Sequence, residues 1–166
     1  TPIRITAGDS DEFLGQLAPD GVTVYFVSDR NATTEVFRQN IRSGGPKRLF
    51  DDGADVSYPR VSPDGKRLLY ISYRVDSGGD PCVYNLETGE RGCNKDPERA
   101  EIQAFWFPGS QYVGAMSRAK LHGDLILRRY NASKRGKGEV LLSRNLSSPA
   151  ISPDGKWLAS VPVERT

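Results

Sequence analysis

Carboxylates, two thiols and a single imidazole are the side chains in this sequence with chemistry to offer. Asp20, Asp64 and Asp154 each stand between a proline and a glycine, Cys82 and Cys93 flank the turn Glu87-Thr88-Gly89, and His122 lies in a polar stretch beside Gly123. Paired carboxylates could serve as acid and base in glycoside hydrolysis, but acidic residues recur along the chain and nothing singles out one pair. A serine triad needs its base beside a nucleophile signature such as Gly-x-Ser-x-Gly, and none accompanies His122. Zinc would require more histidines or a second cysteine pair. Phosphate loops and nucleotide fingerprints are absent too, so no catalytic residue, metal ligand or cofactor site is expected. The aspartates between proline and glycine have a simpler role. Proline sets φ for a turn, aspartate accepts backbone N–H groups, and glycine takes the positive φ that follows.

Those turns recur, as Leu17-Ala18-Pro19-Asp20-Gly21, Val61-Ser62-Pro63-Asp64-Gly65, Trp106-Phe107-Pro108-Gly109-Ser110 and Ile151-Ser152-Pro153-Asp154-Gly155, with prolines 44, 45 and 45 residues apart. Units of that length are one sheet each, burying their faces only by stacking on neighbours. After each turn comes a nearly continuous apolar run: Val22–Val27, Arg67–Ile71, Tyr112–Met116 and Trp157–Val161. Such runs suit strands covered on both faces. Runs of more visible alternation follow in the first three units, at Glu35–Gln39, Cys82–Asn85 and Asp124–Tyr130, and glycine-bearing turns at Arg42–Gly45, Glu87–Gly89 and Lys134–Gly138 come next. Those turns lead to outer strands at Pro46–Phe50, Glu90–Cys93 and Glu139–Leu142.

The pattern predicts an all-β fold, a β-propeller of four-stranded antiparallel blades with strands a to d from the axis outward. Residues 1–6 would hold an outer d strand, 7–50 the first blade, 51–95 the second, 96–142 the third, and 143–166 the a and b strands of a fourth. Three complete blades and parts of a fourth lack the c strand that would close a ring. The opening on Thr1 and this strand phase favour a piece of a longer polypeptide, with the ring completed by its remaining blades or by a second copy.

The phrases Ser28-Asp29-Arg30-Asn31, Tyr58-Pro59-Arg60-Val61-Ser62-Pro63-Asp64-Gly65-Lys66 and Ser148-Pro149-Ala150-Ile151-Ser152-Pro153-Asp154-Gly155-Lys156 resemble the WD40-like repeats of TolB-type β-propellers. The third unit departs from the pattern, with Pro108-Gly109-Ser110 for Pro-Asp-Gly and no residue between Ser117 and Arg118. The resemblance implies a secreted, periplasmic or cell-surface scaffold, non-enzymatic, that presents loops on one face to a protein or peptide. Two alternatives stay open. The same repeats occur in the non-catalytic propellers of prolyl oligopeptidase-like serine peptidases, and a propeller face could also hold a glycan.

A hairpin with a two-residue loop at Glu87-Thr88 puts Cys82 opposite Cys93, within disulfide reach, whereas a three-residue loop with a bulge would shift the partner of Cys82 to Asn94. Sequons stand at Asn31, Asn131 and Asn145, acceptors for glycans only in a eukaryotic secretory pathway. Acidic residues gather in the d-to-a loops, at Asp9, Asp11, Glu12, Asp51, Asp52, Asp55, Asp96 and Glu98, while Arg42, Lys134, Arg135 and Lys137 mark the c-to-d hairpins. The acidic set reads either as a rim receiving a cationic partner segment or a metal ion, or as ordinary solvated loops. With 23 basic against 21 acidic residues, nucleic-acid binding is not expected. No run approaches the roughly 20 apolar residues of a spanning helix, so no membrane span is expected.

Overall fold

The computed structural model describes residues 4–6, 9–74, 78–95, 99–119, 125–143 and 146–162. Antiparallel strands follow one another in sequence order. The first sheet holds β1 (Glu12–Leu17), β2 (Thr23–Ser28), β3 (Glu35–Asn40) and β4 (Ser43–Arg48); the second holds β5 (Val56–Val61), β6 (Arg67–Ser72), β7 (Asp80–Asn85) and β8 (Arg91–Cys93). The third is β9 (Arg99–Trp106), β10 (Tyr112–Ala119), β11 (Leu125–Asn131) and β12 (Glu139–Ser143), and β13 (Leu146–Ile151) pairs with β14 (Leu158–Pro162) in a two-stranded fourth. These sheets are blades, and the fold is a partial β-propeller.

The continuous apolar runs are explained by packing on both sides. From β6, Leu68 and Tyr70 join Tyr25 and Val36 of the first sheet, while Leu69 and Ile71 join Val113, Ala115 and Trp106 of the third. All four β6 side chains are fully buried. Met116 and Leu127 carry the core on to Leu158 of the fourth sheet. The inner strands are also clasped by polar bonds, since Gln16 Oε1 accepts the Val61 N–H at 2.7 Å and Trp106 Nε1 donates to the Arg60 carbonyl at 2.7 Å.

The turns do the work expected of them. Asp20 Oδ1 accepts the N–H groups of Val22 and Thr23, and Asp64 and Asp154 each accept the N–H two residues on and the hydroxyl two residues back. In the divergent third turn, Ser110 reaches across instead, its Oγ accepting the Asp64 N–H at 3.0 Å.

Two expectations about strands are corrected. Of the outer strand placed at the chain's start, Arg4, Ile5 and Thr6 lie outside any strand. Among the described residues no strand pairs with them, and the Ile5 carbonyl accepts a hydrogen bond from Gln39 Nε2 at 2.7 Å. The first c-to-d turn falls at Ile41-Arg42 rather than at Arg42–Gly45. Asn40 Oδ1 caps it by accepting the Arg42 N–H at 2.8 Å, and Ser43, Gly44 and Gly45 enter β4, where the register shifts opposite Arg38 and Asn40.

Candidate functional site

Among the described residues Asp52 is the most deeply buried carboxylate, 4% exposed, with Glu35 and Asp80 also buried. The loop from β4 to β5 carries it onto the second sheet, where Tyr70 and Ser72 hydroxyls donate to its two oxygens and Arg74 pairs with Oδ1 at 2.9 Å. Arg91 approaches the same oxygen at 3.3 Å and bonds the Asp51 carbonyl at 2.6 Å. Burial, reinforced by the neighbouring Asp52 charge, pushes the Tyr70 phenol well above its ordinary value. Asp52 therefore anchors the β4–β5 loop on the second sheet and is no part of a solvent-facing rim, a correction to the sequence expectation.

Other residues of the acidic set also have structural partners. Glu12 pairs with Arg30, and Asp55 Oδ1 accepts both the N–H and the hydroxyl of Thr34. Asp51 Oδ1 accepts the Gly53 N–H at 2.8 Å, and its other oxygen lies 3.8 Å from Arg48. Asp9 and Asp11 are exposed, the Asp11 backbone N–H bonding Asp29. Asp96, Glu98, His122 and Asn145 lie outside the described residues. Among the described residues, no group of three His, Cys, Asp or Glu side chains could hold a metal ion, and no helix is long and apolar enough to cross a membrane.

Cys82 and Cys93 form a disulfide, with their Cα atoms 4.0 Å apart. The register is the one in which these residues face each other, although the loop is longer than the two-residue one considered. Asn85 pairs with Glu90, and Asn85 Oδ1 caps the turn by accepting the N–H groups of Glu87 and Thr88. Asn31 is exposed with its Nδ2 on Glu35, and Asn131 Oδ1 accepts the Ser133 N–H.

Next to that hairpin, between the second and third sheets, lies a cleft of about 420 Å³. Its walls include Arg67 at the start of β6, Asn85 and Gly92 of the β7–β8 hairpin, and Asn131, Lys134 and Arg135 of the β11–β12 hairpin. The third sheet's hairpin folds against the second sheet, where Arg135 Nη2 donates to the Arg91 carbonyl at 3.1 Å and the Gly136 N–H donates to Asn94 Oδ1 at 3.0 Å. Gly92 gives the guanidinium room, since a β-carbon there would come within 2.8 Å of Arg135 Nε. Across the cleft, Arg67 lies over the Trp106 ring at 5.4 Å and donates to Ser133 Oγ at 3.1 Å. A smaller hollow of about 300 Å³ beyond the same hairpin shares Lys134 and Arg135, but its own arginine, Arg129, is paired with Glu139 at 2.5 Å and lies over Tyr112.

Sequence reasoning found Lys134 and Arg135 as hairpin charges but not the cleft. Arg67, Gly92 and Asn131 are distant in sequence, and only the stacking of blades brings them together. The visible signal was Gly92, a glycine within a strand, which often marks a close approach of other atoms to the backbone.

No protein-family profile matches the chain. It is 29% identical over 144 residues to a Bacillus subtilis protein named as the uncharacterized peptidase YuxL, covering 85% of this chain and 20% of the relative, so the chain spans about a fifth of that protein. An uncharacterized Agrobacterium fabrum protein is 27% identical across 44% of this chain and 25% of its own length. Among solved structures, TolB from Acinetobacter baumannii superposes with a TM-score of 0.70 at 20% identity, over 87% of this chain and 36% of that one. A puromycin-hydrolyzing peptidase of Mycobacterium tuberculosis superposes with a TM-score of 0.71 at 14% identity, over 91% of this chain and 28% of that one. These likenesses are of fold.

Proposed function

With a TolB-type β-propeller fold as the starting point, we propose that this chain is a non-enzymatic scaffold that binds a peptide segment of a partner protein in the cleft between its second and third sheets. The observation that supports this reading is the cleft itself. It is walled by two hairpins and the start of β6, and it is polar. A secreted, periplasmic or cell-surface setting suits the Cys82–Cys93 disulfide, because disulfides persist in oxidising compartments. Phe13, Leu17, Trp157 and Val161 are exposed apolar side chains on the first sheet and around β14, and further blades, from a longer polypeptide or a second copy, would cover them.

Panning a displayed library of random peptides on the folded chain tests the reading. Binders are expected whose affinity drops at least about tenfold in Ser133→Trp, which crowds the cleft mouth without changing its charge. Binders indifferent to that substitution would remove the cleft from the function.

A second reading is favoured by the peptidase name of the Bacillus relative, and the puromycin-hydrolyzing peptidase that shares the fold is compatible with it. On it, the chain is the non-catalytic propeller of a larger serine peptidase, and a hydrolase domain with a nucleophile elbow in the same reading frame would select it.

A further inference from the structure

The cleft is rich in cations and hydrogen-bond donors and poor in acceptors. Arg67, Lys134 and Arg135 line it against the single carboxylate of Glu90. Lys134 and Arg135 are exposed and have no carboxylate partner among the described residues. The carboxylate nearest Arg67 is Asp64, at 3.8 Å, and its guanidinium also donates to the Ser110 carbonyl and Ser133 Oγ and lies over Trp106. Arg91 also borders the cleft, but its guanidinium is turned to Asp52 and only its backbone carbonyl serves here, as the seat of Arg135.

The three asparagines of the cleft point the same way. Asn85 Oδ1 accepts Glu87 and Thr88 N–H groups, Asn94 Oδ1 accepts that of Gly136, and Asn131 Oδ1 accepts that of Ser133. A backbone N–H can only donate, so these bonds fix which end of each amide is the oxygen. What each asparagine has left is its NH₂, without a partner among the described residues. Ser133 Oγ is already an acceptor for Arg67. A ligand meeting such a surface must bring oxygens with lone pairs and negative charge. Carboxylates supply both, and guanidinium groups bond them through charge-assisted pairs.

We propose that the segment bound in this cleft is acidic, its Asp or Glu carboxylates held by Arg67, Lys134 and Arg135. This rests on the cleft being a peptide site, and it names the chemistry of the occupant. The opposite charge preference, a cationic segment received by the acidic loops, finds those carboxylates largely engaged within the fold.

The test uses peptides selected on the intact chain that are weakened by Ser133→Trp and so bind in the cleft. They are expected to be enriched in Asp and Glu, to lose at least about tenfold in affinity when their Glu residues become Gln, and to lose a similar factor on Lys134→Ser/Arg135→Ser. Their affinity should also fall with added salt. Cleft-dependent binders that are neutral or basic would overturn the proposal and leave the peptide site standing, as would acidic binders unaffected by Lys134→Ser/Arg135→Ser in protein with an unchanged melting curve. An absence of Ser133→Trp-sensitive binders would overturn both.

Discussion

Asp52 and Asp64 carry the same group into different settings, and the settings decide what each does. Asp52 is sealed in and shared by Tyr70, Ser72, Arg74 and Arg91. Removing it takes the acceptor from two buried hydroxyls, Tyr70 and Ser72, and the anion from two arginines. Asp52→Ala is therefore expected to lower unfolding free energy by about 3 kcal/mol, read from denaturant midpoints, the low end for a broken buried pair because both guanidiniums reach water. A loss below about 1 kcal/mol would mean that the network is incidental. The turn carboxylates act through pH. Burial works to raise the Asp64 pKa, but hydrogen bonds from Ser62 and the Lys66 N–H outweigh it, and the group sits below its ordinary value. The Thr23 hydroxyl with the Val22 and Thr23 N–H groups lowers Asp20, and Ser152 with the Lys156 N–H lowers Asp154. A carboxyl with a lower pKa folded than unfolded stabilises the fold above the unfolded value and loses that contribution as pH falls through the folded one. Melting temperature is thus expected to hold near neutrality and decline below about pH 4, less steeply in Asp64→Asn.

Within the blades, the inner strands carry a feature that repeats as regularly as the proline turns. Leu14, Tyr58 and Ser148 have φ of 55°, 52° and 51°, each beside a break in register with the next strand. Such residues are bulges, and without glycine they hold a left-handed conformation that is costly for any L side chain. The proline turns were legible because proline and glycine are rare and their spacing is fixed. These bulges were not, because leucine, tyrosine and serine give no sign of positive φ. Ser148→Gly is expected to raise stability by about 0.5–1 kcal/mol in urea unfolding, with Ser148→Ala giving no gain. An equal gain from both would refute backbone strain as the cause. In the third inner strand the register also breaks, between Gln103 and Glu101.

For the whole molecule, stability comes from sheets that cover one another. The disulfide adds a local restraint, closing a separation of 11 residues around the β7–β8 hairpin. Loop-closure entropy assigns such a bridge about 3 kcal/mol. Reduction, or the Cys82→Ala/Cys93→Ala variant, is expected to lower the denaturant midpoint accordingly. Because β8 supplies Gly92 and the Arg91 carbonyl to the cleft, the same reduction should weaken cleft-dependent peptide binding before the fold is lost, measurable by anisotropy below the unfolding transition. Undiminished binding in the reduced, folded protein would separate the disulfide from the site.

Local chemistry at a fixed spacing was enough to read the blades. Pro63-Asp64-Gly65 and its counterparts set their turns through bonds that span a few residues, and Val22–Val27 or Arg67–Ile71 declare two-sided burial by having no polar alternate. Counting along one hairpin narrowed the partner of Cys82 to Cys93 or Asn94, and the register of β7 and β8 decided for Cys93. What the order of residues could not decide was which charges remain unpaired. Asp52 looked like its neighbours Asp51 and Asp55 until the second sheet closed over it, and Arg91 looked like Arg135 until one turned to that carboxylate and the other to a backbone carbonyl across the cleft. The reason is physical: a turn or strand is written in neighbours along the chain, whereas burial and ion pairing depend on side chains some 18 to 44 residues away that only the folded sheet and its stacked neighbour bring into contact.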